Sequence, residues 1–226
     1  MSTLAPSSAP PQASPFRLVG TLMGIAVFSG LLLALTYEFT KPIIAANERE
    51  ALETAVFRVL PGAESQTSYL LTADGLEEVP PDRAGEANVF AGIDADGDRV
   101  GFALTGEARG YADVIRVLYG YNAETERIVG MTVLSSNETP GLGDKILWDE
   151  QFLLNFTDLV AELNEEGNAL AHEIVTVKHG KKEHPWQIDG ISGATVSSQA
   201  VGKALRVSTN EHLPRLRAAL QSEGLE

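Results

Sequence analysis

The chain has 226 residues, with 31 acidic and 17 basic side chains, a net charge of −14 and no cysteine. This acidic balance argues against a nucleic-acid-binding protein, which needs a basic surface, and against charge-driven adhesion to an anionic membrane. Without cysteine the chain has no disulfides, thiolate zinc sites, iron–sulfur clusters or attached c-type haem. Any redox centre is therefore organic or held by histidines and carboxylates.

The N-terminal region predicts a membrane anchor. Residues 1–15 are uncharged and rich in Pro, Ser and Ala, which predicts a disordered tail. No charged side chain occurs between Leu18 and Tyr37, and this length of apolar sequence predicts one transmembrane helix over residues 16–40. The alternatives are a buried soluble helix and a cleaved secretory signal, but no small-x-small cleavage site follows Ala34.

The residues after the predicted span predict a connecting helix. Lys41-Pro42 is expected to end the span, and apolar residues then recur at helical spacing until Pro61-Gly62. Residues 41–62 are thus predicted to form an amphipathic linker helix, and residues 63–226 the globular domain. The basic residues on either side of the span are too few to establish its orientation.

The first half of the globular domain predicts an antiparallel sheet. Residues 63–87 are polar and acidic and predict a loop, and four β-type runs follow, at 89–93, 100–105, 112–121 and 127–134. Asp94 to Asp98 predicts a hairpin turn, because Arg99 stands where an EF-hand calcium loop needs glycine. With helices to follow, this order predicts an α+β fold, an antiparallel sheet with helices preceded by the one transmembrane helix.

Two segments after the strands have uncertain roles. Residues 137–146, Asn-Glu-Thr-Pro-Gly-Leu-Gly-Asp-Lys-Ile, predict a turn and then a helix over 146–164, and lack the Gly-Lys-Ser/Thr ending of a phosphate-binding Walker loop. After a strand at 172–177, residues 178–184 predict a basic hairpin, which is either a solvated turn or a docking site for an acidic partner. The histidines lack metal-ligand spacing, so no metal site is predicted.

The segment from Asp189 to Ser198, which follows a short predicted strand at 186–188, carries the most specific signal. Small residues leave the Thr195 hydroxyl open at or beside the N-cap of a helix whose apolar stripe includes Val201, Ala204 and Leu205. Ser192 or Thr195 could simply cap this helix. Alternatively, a phosphate bound here would meet unpaired backbone N–H groups and the positive end of the helix dipole.

This segment resembles the flavinylation motif Asp-x-x-Ser/Thr-Gly-Ala-Thr of the FMN-binding domain family. The resemblance implies that a flavin transferase joins FMN to Thr195 through a phosphoester. Glu138 to Gly143 resembles the second signature of that family, which lies beside the flavin. The resemblance thus implies these cofactor-binding residues: Thr195, Ser192, Gly193, Ala194, Glu138, Thr139, Gly141 and Leu142.

Together with the single span, the two signatures resemble the RnfG subunits of Rnf electron transport complexes, and also the related NqrC subunits of sodium-translocating NADH:quinone reductases. The resemblance implies a single-pass inner-membrane protein with a periplasmic domain, whose FMN relays electrons between ferredoxin and NAD among other Rnf subunits. It implies no acid–base or nucleophilic catalytic residue. The alternatives are a membrane-anchored interaction domain without flavin, and the flavin domain of a periplasmic reductase, for whose substrate-reducing domain this chain has no room.

Overall fold

A computed structural model describes residues 14–72, 75–80, 83 and 86–223 of the chain. The chain divides between Glu48 and Arg49 into two compact units. The predicted N-terminal tail lies outside the described residues except for its last two, Ser14 and Pro15.

The first helix, α1, is continuous from Pro15 to Val59 and contains Pro42. The prediction that the span ends at Lys41-Pro42 and a separate linker helix follows is therefore wrong for the helix itself. Proline removes one backbone donor at a cost of about 3 kcal/mol, and the helical turns on both sides continue across it. Among the described residues, α1 is the one helix whose length and apolar composition suffice to cross a membrane, with a mean hydropathy of 2.3 over its most apolar window.

A seven-stranded antiparallel sheet forms the centre of the second unit. Its strands are β1 (Ser65–Leu71), β2 (Leu76–Glu78), β3 (Val89–Ile93), β4 (Arg99–Arg109), β5 (Val114–Asn122), β6 (Arg127–Ser135) and β7 (Leu159–Val160). Their order across the sheet is β2-β1-β3-β4-β5-β6-β7. The predicted α+β class, an antiparallel sheet with helices after one apolar N-terminal helix, is confirmed.

The remaining elements follow β6. They are a 3₁₀ helix (Gly143–Leu147), α2 (Glu150–Leu153), a second 3₁₀ helix (Leu154–Phe156), β8 (Val175–Val177), β9 (Gln187–Asp189) and α3 (Thr195–Glu223). The strands β8 and β9 form a separate parallel pair. The last helix continues through Pro214, although the sequence predicted an interruption there.

Helices cover the sheet with two hydrophobic cores. The larger core includes the predicted stripe of α3, Val201, Ala204 and Leu205, all fully buried. The smaller core contains the last turns of α1, where Val56, Val59 and Leu60 pack with strand residues. The end of α1 therefore belongs to the core of the second unit, a role that its amphipathic pattern alone did not reveal.

The sheet accommodates α1 through glycines at facing positions on neighbouring strands. Gly120 of β5 pairs with Gly130 of β6. A Cβ atom added at Gly120 would overlap the carbonyl oxygen of Val59, and one at Gly130 would lie 2.5 Å from the same oxygen. The backbone of α1 can approach the sheet this closely because neither glycine carries a side chain.

Three other predictions were wrong. Residues 63–87 contain β1 and β2 rather than a loop only, because β1 is a half-exposed strand whose polar residues conceal the usual apolar alternation. The helix predicted over 146–164 is broken into short pieces, since the Asp149 carboxylate accepts a hydrogen bond from Phe152 N at 3.0 Å and starts a new helix. The basic segment 178–184 is not a hairpin, because the strands that it joins are parallel.

Candidate functional site

The helix α3 begins at Thr195 without a side-chain cap. The N-cap is Ala194, whose carbonyl accepts the first helical hydrogen bond from Ser198 N at 2.9 Å. The backbone N–H groups of Thr195, Val196 and Ser197 have no acceptor within the described part of the chain. These donors and the positive end of the helix dipole create a local preference for an anion.

The loop before α3 is fixed by Ser198, whose side chain is fully buried. Its hydroxyl donates to the carbonyl of Ala194 at 2.8 Å and accepts a hydrogen bond from the backbone N–H of Ile191 at 3.0 Å. One serine thus joins both ends of the loop. The position of Thr195 is therefore determined by buried contacts.

Asn155 fixes the other end of the motif. Its side-chain amide accepts from Asp189 N at 2.9 Å and donates to Asp189 O at 3.2 Å. The carboxylate of Asp189 in turn accepts a hydrogen bond from Gly180 N at 2.7 Å, in the basic segment. The first residue of the motif therefore has a structural role, and part of the basic segment supports it.

The residues between these fixed points are open. Ser192, Gly193 and Thr195 are exposed, and neither hydroxyl has a hydrogen-bond partner among the described residues. Gly193 has a φ of +82°, and a Cβ atom there would meet no neighbour within 4 Å. The capping alternative is therefore not what the structure shows, and the Thr195 hydroxyl lies accessible beside three unpaired N–H donors.

The second motif forms a tight turn next to this helix. The carbonyl of Thr139 accepts hydrogen bonds from Leu142 N and Gly143 N, both at 3.1 Å. Gly141 has a φ of +77°, which favours glycine. Thr139, Gly141 and Leu142 are exposed. The turn can therefore present an apolar side chain to a ligand.

The buried side chain of Glu138 joins the two motifs. One carboxylate oxygen accepts a hydrogen bond from the Ser197 hydroxyl in the first turn of α3 at 2.5 Å, and the other accepts from Ala112 N at 3.0 Å. Gly143 packs against this pair, since an added Cβ atom would lie 2.5 Å from Glu138 Oε2 and 2.7 Å from Ser197 Oγ. The two motifs, 59 residues apart in sequence, are thus adjacent in space.

The carboxyl of Glu138 is stabilised in its ionised form. Burial by itself raises the pKa of Glu138, but hydrogen bonds from the Ser197 hydroxyl and from the backbone N–H groups of Ala112, Tyr111 and Asp113 outweigh it and lower the pKa below the usual 4.5. Every group that hydrogen-bonds the carboxylate is a donor. An uncharged acid or an amide would leave some of these donors without an acceptor.

Other groups near the two motifs are also unpartnered. Asp144 Oδ1 is buried without a hydrogen-bond partner among the described residues, and such an orphaned acceptor is uncommon in folded proteins. Leu142 and Trp148 are each 55% exposed, and Val196 is 48% exposed. A flat, mostly apolar ligand with a phosphate and a few hydrogen-bond donors matches this combination of groups.

Comparisons with known proteins agree with this site. Residues 110–209, which include both motifs, match the model of the FMN-binding domain, and residues 16–59 match that of the RnfG N-terminal region. The chain is 31% identical over 189 residues to the G subunit of the ion-translocating oxidoreductase complex of Methanosarcina acetivorans, an alignment covering 84% of this chain and 89% of the relative. It is 31% identical over 201 residues to the G subunit of the Na⁺-translocating ferredoxin:NAD⁺ oxidoreductase complex of Acetobacterium woodii, which covers 85% and 89%.

The chain belongs to the RnfG family. Its fold is also that of the crystal structure of Shewanella oneidensis NqrC, with a TM-score of 0.61, 14% identity and coverage of 78% of this chain and 99% of that one. The RnfG N-terminal region coincides with α1, including the turns that pack on the sheet. The predicted kinship with this family, and with NqrC through the fold, is confirmed.

Sequence reasoning found the exposed residues of the RnfG site but missed the residues that hold them. Asn155 and Ser198 were not predicted, although two consecutive serines in the first turn of an amphipathic helix could have indicated a buried hydroxyl. Nothing in the sequence marks Asn155. Glu138 was predicted to bind the cofactor, yet its carboxylate is committed to donors within the chain, and we interpret it as a positioning residue.

Replacement of Glu138 by glutamine is expected to destabilise the fold by about 1–3 kcal/mol at pH 7, since an amide leaves buried donors unpaired. Because the folded-state pKa is lowered, the carboxylate stabilises the protein above the unfolded pKa, and this contribution is lost as the pH falls below 4.5. Urea unfolding from pH 7 to pH 3 measures this. A gap between wild type and variant that does not narrow towards low pH would contradict the interpretation.

Proposed function

We propose that this chain is a membrane-anchored electron carrier of an Rnf complex, with FMN attached covalently to Thr195 through a phosphoester. The observation that carries the proposal is the exposed, unpartnered Thr195 hydroxyl in the first turn of α3, beside N–H donors that have no acceptor among the described residues. The family match to an FMN-binding domain supports the choice of ligand.

Attachment forms a bond between Thr195 Oγ1 and phosphorus. The bond between phosphorus and the leaving group of an activated flavin nucleotide breaks, and the hydroxyl proton is released. A flavin transferase catalyses this step, because the described residues place no basic side chain in hydrogen-bond contact with the Thr195 hydroxyl. The exposed positions of Ser192 and Gly193 leave room for that enzyme to reach the threonine.

Once attached, the phosphodiester is held by this chain's own groups. The first-turn N–H donors of α3 bind its negative charge. Ser192, Gly193 and Ala194 form the wall on the loop side. Glu138 acts indirectly, by fixing Ser197 in the same turn.

The second motif is proposed to contact the ring system. Leu142 offers an apolar surface, the backbone at Thr139 and Gly141 is accessible, and Asp144 Oδ1 is an acceptor without a partner among the described residues. FMN supplies one-electron and two-electron redox chemistry when bound. The protein supplies retention and position, and needs no acid–base residue for this role.

The relatives' names indicate the partners. The Acetobacterium woodii relative belongs to a Na⁺-translocating ferredoxin:NAD⁺ oxidoreductase complex, and we propose that this chain relays electrons between ferredoxin and NAD among the other Rnf subunits. A carrier tethered through its own anchor is held at high local concentration near its partners. The NqrC role in a quinone reductase is the second candidate, which the shared fold favours.

We further propose that α1 is the single span in the inner membrane and that the globular domain lies in the periplasm. The length and composition of α1 support the span. The sequence has no cysteine, so one cysteine introduced at the exposed Glu166 would report the side directly. Failure of an impermeant maleimide to label it in intact spheroplasts would exclude the periplasmic location.

The direct test of covalent attachment is a peptide map of the native protein. The peptide containing Thr195 is expected to carry the mass of one FMN less one water, and the band of the chain in a denaturing gel is expected to fluoresce as flavin. An unmodified peptide from protein produced together with its transferase would leave the second function class, an anchored interaction domain without flavin.

A further inference from the structure

A large cavity lies at the opposite end of α3 from the flavin site. Its volume is about 820 Å³, and the charged and phenolic side chains that line it are Arg99, Tyr121, Glu124, Glu126, Glu162, Glu165 and Arg217. Arg217 is 22 residues beyond Thr195 along α3, which corresponds to roughly 33 Å at 1.5 Å per residue. The cavity is therefore separate from the proposed flavin site, and its volume is typical of a small-molecule pocket.

The buried wall of this cavity contains an unpaired hydroxyl. Tyr121 is only 4% exposed, and its hydroxyl has no hydrogen-bond partner among the described residues. Burial and the nearby Glu126 carboxylate raise the pKa of Tyr121, while Arg217 lowers it in part. A buried tyrosine usually finds a partner for its O–H, so this neutral hydroxyl is available to a ligand.

The polar rim of the cavity is predominantly acidic. Arg217 forms an ion pair with Glu126 at 3.2 Å, so these two charges compensate each other. The carboxylates of Glu124, Glu162 and Glu165 are exposed at the cavity and have no partner in the part of the chain that the structure describes. Three such carboxylates around one opening attract cations.

The second cation of the lining, Arg99, does not cancel this charge. Its guanidinium carbon lies 4.9 Å from the centre of the Phe102 ring, a cation–π contact that holds the side chain against the wall. One arginine is also too few to neutralise the three carboxylates that remain after the ion pair. The cavity therefore keeps an excess of negative charge.

We propose that this cavity is a second binding site, for a small organic cation that carries more than one ammonium group. The rim carboxylates bind the ammonium groups, and the Tyr121 hydroxyl hydrogen-bonds the part of the ligand that enters the cavity. A bare metal ion suits the site less well, because the carboxylates lie at the exposed rim and the buried wall offers a neutral phenol, which is a poor ligand for Mg²⁺ or Ca²⁺.

The test is calorimetric titration of the full-length protein in detergent micelles with spermidine, repeated with MgCl₂ at equal ionic strength. Spermidine is expected to bind saturably. Tyr121→Phe, which removes one hydroxyl, is expected to weaken binding about five-fold, the usual effect of one hydrogen bond, and the double variant Glu162→Gln/Glu165→Gln is expected to weaken it at least as much.

A matched control is Glu166→Gln, since Glu166 is adjacent to Glu165 in sequence but does not line the cavity. This variant is expected to bind spermidine as the wild type does. The proposal is overturned if spermidine gives no saturable heat, if MgCl₂ binds with equal affinity, or if Glu166→Gln weakens binding as much as the cavity variants. Flavin content does not enter this test, so its outcome is independent of the proposed function.

Discussion

Thr195→Val is expected to remove all covalently bound flavin. Valine has nearly the same shape as threonine and lacks only the hydroxyl, and Thr195 is exposed without a partner among the described residues. The substitution therefore deletes the atom that would bond to phosphorus while breaking no internal contact. The measurement is flavin fluorescence of the chain in a denaturing gel, with the protein produced alongside its transferase.

Two further variants make this result specific. Ser192→Ala removes the other exposed hydroxyl of the same loop and is expected to retain wild-type flavin. Thr195→Ser keeps a hydroxyl at the position and is expected to retain some attachment. The assignment fails if Thr195→Val still fluoresces after denaturation, or if Ser192→Ala is the variant that loses its flavin. An unchanged urea midpoint for Thr195→Val would show that loss of flavin is not loss of fold.

Gly120→Ala is expected to destabilise the second unit by about 3 kcal/mol or more. Overpacking a core usually costs about 1–3 kcal/mol when side chains can adjust. Here the added Cβ atom would overlap the backbone carbonyl of Val59, which cannot rotate away. Either α1 or the sheet must move, and the packing of Val56, Val59 and Leu60 in the smaller core is lost in part.

Urea unfolding of the full-length protein in micelles measures this effect. The sequence contains two tryptophans, Trp148 and Trp186, and both lie in the second unit, so their fluorescence reports on that unit. Gly30→Ala is the control, because a Cβ atom there meets no neighbour within 4 Å. A midpoint for Gly120→Ala equal to that of Gly30→Ala would mean that α1 does not pack on the sheet as described.

The same glycines show where sequence reasoning was limited. The hydrophobic pattern of residues 43–60 indicated an amphipathic helix, but a pattern does not say which surface covers its apolar side. Gly120 and Gly130 stand in strands that were predicted correctly, and only the paired register shows that together they face the carbonyl of Val59. The second core therefore required the tertiary structure.

The sequence alone determined the features that local chemistry dictates. A long uncharged apolar run identifies a possible span, an Asp-Gly turn identifies a hairpin, and a Thr after small residues identifies an open helix start. Only the tertiary structure decided the features that depend on distant residues. Glu138 meets Ser197, and Asn155 meets Asp189, because the sheet and α3 bring segments 59 and 34 residues apart into contact. No local pattern encodes such pairs, since their hydrogen bonds exist only after the chain has packed.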